Sequence, residues 1–259
     1  MTRLGQHFLI HQPTLQSIAA SVEAQTGDTI IEIGPGHGEL TRELGIRNEE
    51  LRIIAIEKDE GFIDLLKGTF KDKKNISIVH GDALTLLPSI IHNSTFRIRD
   101  YKLVGNIPYY ITGHLFRTIG ELSKKPSRAI FLIQREVAER MIAAPPRMNL
   151  FGASIQAWAE AKIIARVPHG YFRPPPQVDS SAIVLVPRGN PLPAGYYAFI
   201  RTLFKQPRKT IFNNLRSIGG SSEALKKKLI SWEVDPNSRP QDLSIDQMKE
   251  MAKFFSDCR

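Results

Sequence analysis

The amino-acid sequence predicts an α/β layered domain with a mainly parallel sheet of seven strands, followed by a small all-α domain. Short apolar runs alternate with helical patterns through residues 29–186, which is typical of parallel strands joined by crossover helices. Residues 187–193 are rich in Pro and Gly and predict a linker. From residue 195 onward the spacing of the apolar residues is helical. We therefore divide the chain into a domain at 1–187 and a domain at 188–259.

Composition and charge narrow the classes of function. At 259 residues the chain can bury a sizeable core, and its net charge of +9 favours a polyanionic partner, nucleic acid before membrane. The single cysteine, Cys258, excludes an internal disulfide framework and a cysteine-based metal cluster, and no metal is expected. The sequence has no apolar leader and no apolar run of about 18 residues, so neither a signal peptide nor a membrane span is predicted. These features suit the cytoplasm.

The chain opens with a segment at 1–10 that is expected to be irregular, followed by a helix predicted at 13–24. Apolar residues in that helix recur on one face, and Pro13 suits its first turn. The first strand is then Thr29–Ile33, a short apolar run that contains one acid, Glu32. Glu32 is either a plain strand residue or a group that helps to hold the ammonium end of a cofactor.

A glycine-rich turn at 34–38 follows the first strand and leads into a helix predicted at 39–44. This order forms the nucleotide-binding opening of a Rossmann-like unit, and glycine lets the backbone approach a ligand closely. The glycines are spaced Gly-x-Gly-x-Gly, which differs from the Gly-x-Gly-x-x-Gly of dinucleotide sites. The turn therefore favours a smaller ligand without phosphates, such as S-adenosylmethionine, over a nicotinamide cofactor.

The next two strands are each followed closely by an acid. The run Arg52–Glu57 ends in Glu57, about 20 residues beyond the glycine turn, where such folds place a carboxylate on ribose hydroxyls. The run Ile76–His80 precedes Asp82, which can accept a hydrogen bond from an adenine amine. Either acid alone could be a strand-end cap. Two acids at successive strand ends after such a turn favour a cofactor site.

The fourth strand, at 101–104, leads into an unusual stretch from Asn106 to Tyr109. Pro108 ends the ladder and pushes Ile107 toward an extended backbone. The result is a stiff corner with an amide, a free carbonyl and an aromatic ring at the carboxyl edge of the sheet, where open α/β sheets bind ligands. The amide and carbonyl oxygens could accept hydrogen bonds from an adenine amine while Tyr109 stacks on the base. The alternative is a strand-to-helix turn with an exposed tyrosine.

The rest of the first domain continues the alternation. Helices are predicted at 111–122, 134–140 and 150–161, and strands at 129–133, 162–167 and 181–186. Residues 171–179 contain three consecutive prolines, which form neither helix nor ladder, so a stiff extended loop is expected. The loop holds Phe172 either as a fixed aromatic face or as an anchor in the core.

The second domain is predicted to contain helices at 196–204, 209–215, 221–230 and 245–256. Positive charge is concentrated at 204–209 and at 226–228. A run of lysines is often a solvated helix face, and that interpretation stays open for 226–228. For Arg208 and Lys209 we favour contact with phosphates.

Several segments, taken in order, resemble the ribosomal RNA adenine dimethyltransferases, and in particular the KsgA family of small-subunit enzymes. They are residues 5–9, 32–36, Glu57, 81–83, 106–109, 172–180, and 208–210 with 213–215. The resemblance covers nearly the whole chain, and the ordered set of motifs is highly specific. His7 departs from the family, which often has Asn at this position.

The resemblance implies a Rossmann-like methyltransferase that uses S-adenosylmethionine. Its substrate would be the exocyclic amines of two adjacent adenines near the 3′ end of small-subunit rRNA, in an immature 30S subunit, and the enzyme would be a monomer. Asn106 would touch the target base, Tyr109 and Phe172 would stack on it, and Arg208 and Lys209 would bind RNA. Carried over by position, the residues of the cofactor site would be His7, Leu9, Gly34, Gly36, Glu57, Asp82 and Asn106.

Three other functions are compatible with parts of this pattern. A large-subunit rRNA methyltransferase of the antibiotic-resistance type shares the motifs, but the segments at 172–180 and 208–210 favour the small-subunit enzymes. A non-catalytic RNA-binding assembly factor is a second alternative, against which the intact acids and the Asn106 corner argue. A nicotinamide oxidoreductase is the weakest, because the glycine spacing is wrong for a dinucleotide.

Overall fold

The structure, a computed structural model, describes residues 6–47, 50–92, 98, 100–216, 218 and 221–256. Gly5 and Cys258, which the sequence analysis uses, lie outside the described residues. Within the described ranges, no helix is both long and apolar enough to cross a bilayer.

The chain forms two compact units. The first combines residues 1–138 and 162–187, and the second combines residues 139–161 and 188–259. This grouping differs from the sequence-based division at residues 139–161. That segment contributes three buried side chains to the core of the second unit, namely Met148, Ala153 and Ala157. The assignment of one function to each predicted domain stays a prediction.

A seven-stranded sheet dominates the first unit, and the predicted α/β class is confirmed. The strands, in chain order, are β1 (Phe8–Leu9), β2 (Thr29–Ile33), β3 (Arg52–Glu57), β4 (Ile76–His80), β5 (Tyr101–Asn106), β6 (Arg128–Gln134), β7 (Ala159–Val167), β8 (Phe172–Arg173) and β9 (Ser180–Pro187). The order across the sheet is β4-β3-β2-β5-β6-β9-β7. Strands β2 to β6 pair in parallel, and β9 is antiparallel to β6.

The central strands β2 and β3 are mostly apolar and buried because the sheet is covered on both faces. All five residues of β2 are buried, as are the last five of β3. Successive strands lie on one side of β2 as far as β4, and the chain then crosses to β5 on the other side. This reversal is the topological switch point, and the crevice outside the carboxyl ends of β2 and β5 is where such folds bind ligands.

The helices, numbered in chain order, are α1 (Gln12–Ser21), α2 (Glu39–Arg47), α3 (Glu60–Thr69), α4 (Ala83–His92), α5 (Thr112–Glu121), α6 (Arg135–Met141), α7 (Leu150–Gln156), α8 (Tyr196–Leu203), α9 (Ile211–Leu215), α10 (Ser222–Ser231) and α11 (Ile245–Ser256). The sequence analysis did not predict α3 and α4. Asp59 caps α3 by accepting the Gly61 N–H at 3.0 Å, a local signal that the sequence carries. Pro88 lies inside α4, where it obscures the helical pattern.

The helix predicted at 150–161 is wrong in its second half. Helix α7 ends at Gln156, and β7 begins at Ala159. Exposed residues alternate with covered ones from Ala159 to Val167, which is the period of a strand with one covered face. The buried Trp158 sits at the transition, and its apolar ring suited either interpretation of the pattern.

The irregular segment expected at 1–10 contains a strand, and part of the proline loop pairs with it. Strand β1 runs antiparallel to β8, with Phe8 opposite Arg173 and Leu9 opposite Phe172. The expectation that 171–179 forms no ladder is therefore wrong for its start, because the three prolines that cannot donate begin only at Pro174.

Candidate cofactor and active site

The carboxyl ends of β2, β3, β4 and β5 open into one cleft, which is open to solvent. A concave site at the switch point of a parallel sheet is where such folds bind small ligands. The cleft brings together most of the residues predicted from the sequence, which are His7, Gly34, Gly36, Glu57, Asp82, Asn106, Tyr109 and Phe172.

The glycine turn after β2 forms one wall of the cleft. Gly36 has a φ of +58°, and a Cβ there would lie 2.6 Å from Cε1 of Phe8. Phe8 in turn packs edge-on against His37, with ring centroids 4.2 Å apart. Glycine is therefore required at this position both by the left-handed backbone and by the close approach of the N-terminal segment.

Glu57 ties the ends of β2 and β3 together. Its carboxylate accepts the Gly36 N–H at 3.0 Å and the Asp59 N–H at 2.8 Å, and its side chain borders the cleft although the residue is only 3% exposed. A carboxylate has about four acceptor positions, so two remain for other donors. Glu57 can thus receive a pair of hydroxyl groups while the turn holds it still.

Asp82 occupies the next strand end and pairs with a lysine that the sequence analysis did not assign. Lys58 Nζ lies 2.8 Å from Oδ2 of Asp82, and the Leu84 N–H donates to Oδ1 at 2.9 Å. Partial desolvation acts to raise the pKa of Asp82, but the hydrogen bonds from Lys58 and Leu84 outweigh it and leave the pKa below its usual range. Asp82 is therefore an ionised acceptor at the edge of the cleft.

The Asn106 corner has a fixed amide orientation. Nδ2 of Asn106 donates to the His7 carbonyl at 2.7 Å, and the Ile107 N–H donates to the Leu132 carbonyl at 3.0 Å. Because the amide nitrogen is held by the N-terminal segment, Oδ1 is the acceptor that Asn106 can offer to a ligand. The corner is at once a strand end and a polar wall of the cleft.

Three rings surround this corner. The imidazole of His7 lies 6.0 Å from the Tyr109 ring, and its Nδ1 is 2.8 Å from the Pro174 carbonyl. The hydroxyl of Tyr109 is 3.5 Å from Oγ of Ser180. Phe172 is 3% exposed and packs in the core, and it also borders the cleft. It is therefore an anchor in the core that also lines the cleft, and its role in stacking on a base stays a prediction.

Leu9 and Glu32 do not line the main cleft. Both line a second, smaller pocket that shares Phe8, Gly34 and Asn106 with the main cleft, and Leu9 is packed in the core. Burial raises the pKa of Glu32 to about 8, although the Thr41 hydroxyl donates to its carboxylate at 2.6 Å. A cofactor role for either residue stays a prediction.

Residues of the cleft that the sequence analysis did not assign include Gln6, Lys58 and Tyr110. Among the residues that the structure describes, none hydrogen-bonds to the buried Oε1 of Gln6, which makes this atom a candidate acceptor for a bound group. Tyr110 is 61% exposed at the same cleft. Gln6 and Tyr110 directly precede or follow residues that were assigned, and that adjacency was the available signal.

The cleft fits S-adenosylmethionine. Glu57 has acceptor capacity for ribose hydroxyls, Asp82 is an ionised acceptor for an amine, and Gly34 and Gly36 line the cleft with backbone alone. Oε1 of Gln6, which has no partner within the described part of the chain, supplies one more acceptor. None of these groups forms a phosphate site of the dinucleotide type.

Arg208 and Lys209 belong to the second unit, where both are exposed on the loop before α9. Asn214 is buried and holds that loop. Its side chain accepts the Gln206 N–H at 3.1 Å and donates to the carbonyls of Gln206 and Thr210, each also at 3.1 Å. Arg208 and Lys209 therefore lie on a loop whose backbone is held in place by Asn214.

Fold and site together define a Rossmann-like methyltransferase. The sequence model of the family described as "Ribosomal RNA adenine dimethylase" matches residues 1–257. The chain therefore belongs to the ribosomal RNA adenine dimethylases, which are S-adenosylmethionine-dependent enzymes, and the predicted family, activity and cofactor are confirmed.

Individual relatives agree with this assignment. The chain is 35% identical to "Ribosomal RNA small subunit methyltransferase A" of Dehalococcoides mccartyi, over 98% of this chain and 87% of the relative. It is 32% identical to the protein of the same name in Moorella thermoacetica, over 96% and 90%. Among solved structures, a dimethyladenosine transferase from Plasmodium falciparum has a TM-score of 0.80 at 20% identity, covering 97% of this chain and 98% of the other. The 23S rRNA methyltransferase ErmE has a TM-score of 0.74 at 23% identity, covering 96% and 99%, and both structures support the fold.

Proposed function

We propose that this enzyme dimethylates the exocyclic amines of two adjacent adenines near the 3′ end of small-subunit rRNA. The substrate is the immature 30S subunit, and the enzyme acts as a monomer in the cytoplasm. The observation that carries the proposal is the Asn106 corner, whose amide is oriented by His7 in the same cleft as Glu57 and Asp82. The small-subunit relatives at 32% to 35% identity favour this substrate over the large subunit.

The residues of the cleft divide between cofactor and target base. Glu57 holds the ribose hydroxyls, and Asp82 accepts a hydrogen bond from the amine of the cofactor's adenine. The turn at Gly34 and Gly36 lets the backbone approach the remainder of the cofactor. S-Adenosylmethionine supplies an electrophilic methyl group on a sulfonium. The target adenine must leave its stack to reach this depth, which costs a few kcal/mol.

Asn106 acts on the nucleophile. An adenine amine is weakly nucleophilic because its lone pair is delocalised into the ring. Oδ1 of Asn106 and the Ile107 carbonyl accept its two N–H groups and draw the nitrogen toward a pyramidal geometry, which stabilises the charge that develops there. Tyr109 and Phe172 hold the base by stacking, at roughly 1–3 kcal/mol per contact. No strong base is needed if the proton leaves after methyl transfer.

Replacing Asn106 tests the proposal. We expect Asn106→Ala to nearly abolish methylation, at least about a hundredfold loss for a lost transition-state acceptor, while the affinity for S-adenosylhomocysteine falls much less. Asn75→Ala is the matched control, because Nδ2 of Asn75 also donates to a backbone carbonyl, that of Leu51 at 2.8 Å, away from the cleft. Tritiated methyl transfer to immature small subunits, with nucleoside analysis of the product, measures both variants. Full activity of Asn106→Ala would remove the proposed role.

The same assay distinguishes the substrates. Wild-type enzyme is expected to label immature small subunits and to leave naked 23S RNA unlabelled. Preferential labelling of 23S RNA would instead identify the large-subunit alternative, and labelling of neither would support a non-catalytic assembly factor.

A further inference from the structure

The lysine run of helix α10 was left open by the sequence, and the structure separates its three members. Lys228 points into an aromatic cluster, with Nζ 4.7 Å from the Phe254 ring centroid and 5.3 Å from that of Trp232. Lys227 pairs with Glu223 one turn earlier, at 3.6 Å. Lys226 lies over the Phe212 ring at 5.3 Å. The three side chains therefore have three different environments.

The contact with Phe212 joins Lys226 to the basic loop. Phe212 is the second residue of α9, and Thr210 caps that helix by accepting the Asn213 N–H at 3.2 Å. Phe212 lies three positions after Lys209, a backbone length of at most about 11 Å. The ammonium of Lys226 thus contacts a ring of α9, the helix that directly follows the loop with Arg208 and Lys209.

This arrangement suits a polyanion. Arg208, Lys209 and Lys226 are all exposed, and within the described residues no ion pair involves any of them. Asn214 fixes the loop that bears the first two, and the Phe212 ring limits the freedom of the third. Cations fixed in advance lose less entropy when they bind phosphates than free side chains do.

We propose that Lys226 extends the basic surface of Arg208 and Lys209, and that the three side chains bind the phosphodiester backbone of the RNA substrate together. The proposal rests on the proposed function, since it assumes an RNA substrate. It assigns Lys227, on the same helix, no contact with RNA. Lys228 stabilises the aromatic cluster instead.

The test compares single charge removals by their salt dependence. Each phosphate contact adds about 0.7–0.9 to the slope of log affinity against log salt concentration. Fluorescence anisotropy with a labelled small-subunit rRNA transcript, from about 50 to 250 mM KCl at constant Mg²⁺, measures this slope. We expect Lys226→Gln to weaken binding about threefold at the lowest salt and to reduce the slope by about 1. Lys226→Arg should restore both.

Lys227→Gln is the matched control, because it removes the same charge from the same helix, and it should leave the slope within error of wild type. Arg208→Gln reports on the proposed function itself. A slope that falls in Arg208→Gln but not in Lys226→Gln would overturn this inference alone. Equal losses in Lys226→Gln and Lys227→Gln would overturn it too, since they would reflect net charge. No change in any variant would also remove the RNA contact assigned to Arg208.

Discussion

At the scale of the residue, hydrogen bonds within the protein already orient the acceptor groups of the cleft. Asn106 donates its amide nitrogen to His7 and so offers its oxygen to a ligand. Glu57 takes two backbone N–H groups, which fix the carboxylate without using all of its lone pairs. Preorganised acceptors of this kind lose little energy to reorganisation when a ligand or a transition state arrives.

Replacing Gly36 tests whether the glycine turn after β2 is needed for cofactor binding. Gly36→Ala forces a left-handed φ on alanine and places Cβ 2.6 Å from Phe8, so the turn or the phenyl ring must move. We expect the affinity for S-adenosylhomocysteine to fall at least about tenfold and the free energy of unfolding to fall by about 1–3 kcal/mol. Gly68→Ala, in α3, is the control, because among the described residues no atom beyond its chain neighbours and its own helix backbone lies within 4 Å of the added Cβ. It should stabilise the fold by roughly 0.5–1 kcal/mol and leave calorimetric binding unchanged. If Gly36→Ala binds S-adenosylhomocysteine with wild-type affinity, glycine at this position is not needed for cofactor binding.

Glu32 predicts a pH dependence of stability. Burial raises its pKa from 4.5 to about 8, so between these pH values the folded protein keeps a proton that the unfolded chain releases. The free energy of unfolding therefore falls as the pH rises through this window, by at most about 1.4 kcal/mol per pH unit from this group. Glu32→Gln keeps an acceptor for Thr41 and removes the titration. Urea unfolding at pH 6 and pH 8 should show a smaller loss in the variant, and equal losses in both proteins would refute the shift.

At the scale of the element, the short strand β1 carries the N-terminal side of the cleft. Pairing with β8 holds Phe8 against Gly36 and brings the His7 carbonyl to Asn106. The Ile10 N–H extends this pairing by donating to the Tyr171 carbonyl at 2.9 Å. Two residues of ladder thus position several groups of the site.

Ile10→Pro tests this pairing, because proline removes the donated N–H at a residue whose side chain is 42% exposed. We expect the affinity for S-adenosylhomocysteine to fall about tenfold, which corresponds to about 1.4 kcal/mol. Ile10→Ala removes the side chain but keeps the N–H, and it should bind as wild type does. Equal affinities of the two variants in calorimetry would show that the pairing does not support the cleft.

Apart from helices α3 and α4, the sequence predicted the elements whose signal is local, and it missed strand β1, which depends on a distant partner. Strands β2 to β4 were predicted at their observed bounds, because a short apolar run between turn residues identifies a strand. Strand β1 is two residues long and exists only because β8 lies opposite it. The same holds at the site: the acids follow from strand ends, whereas the pairing of Lys58 with Asp82 depends on two strands meeting.

At the scale of the whole molecule, the cleft residues and the basic loop belong to different compact units. The net charge of +9 belongs to the whole chain and favours association with RNA in general. The groups proposed to bind the cofactor all lie in the first unit. Cofactor binding and RNA binding should therefore respond to different substitutions.

A pair of double variants tests this separation. Arg208→Gln with Lys209→Gln removes two proposed phosphate contacts, and we expect kcat/KM for the small-subunit substrate to fall at least about tenfold near 150 mM salt, with a salt slope lower by about 1.4–1.8. The kcat at saturating substrate and the affinity for S-adenosylhomocysteine should stay at wild-type values, because no group of the cleft has changed. Lys71→Gln with Lys74→Gln, both exposed in the first unit, lowers the net charge by the same amount and serves as the control. If both double variants lose activity equally, overall charge rather than the loop at 206–210 governs RNA binding. If the first also loses cofactor affinity, the two functions are not separable in the way that the two units suggest.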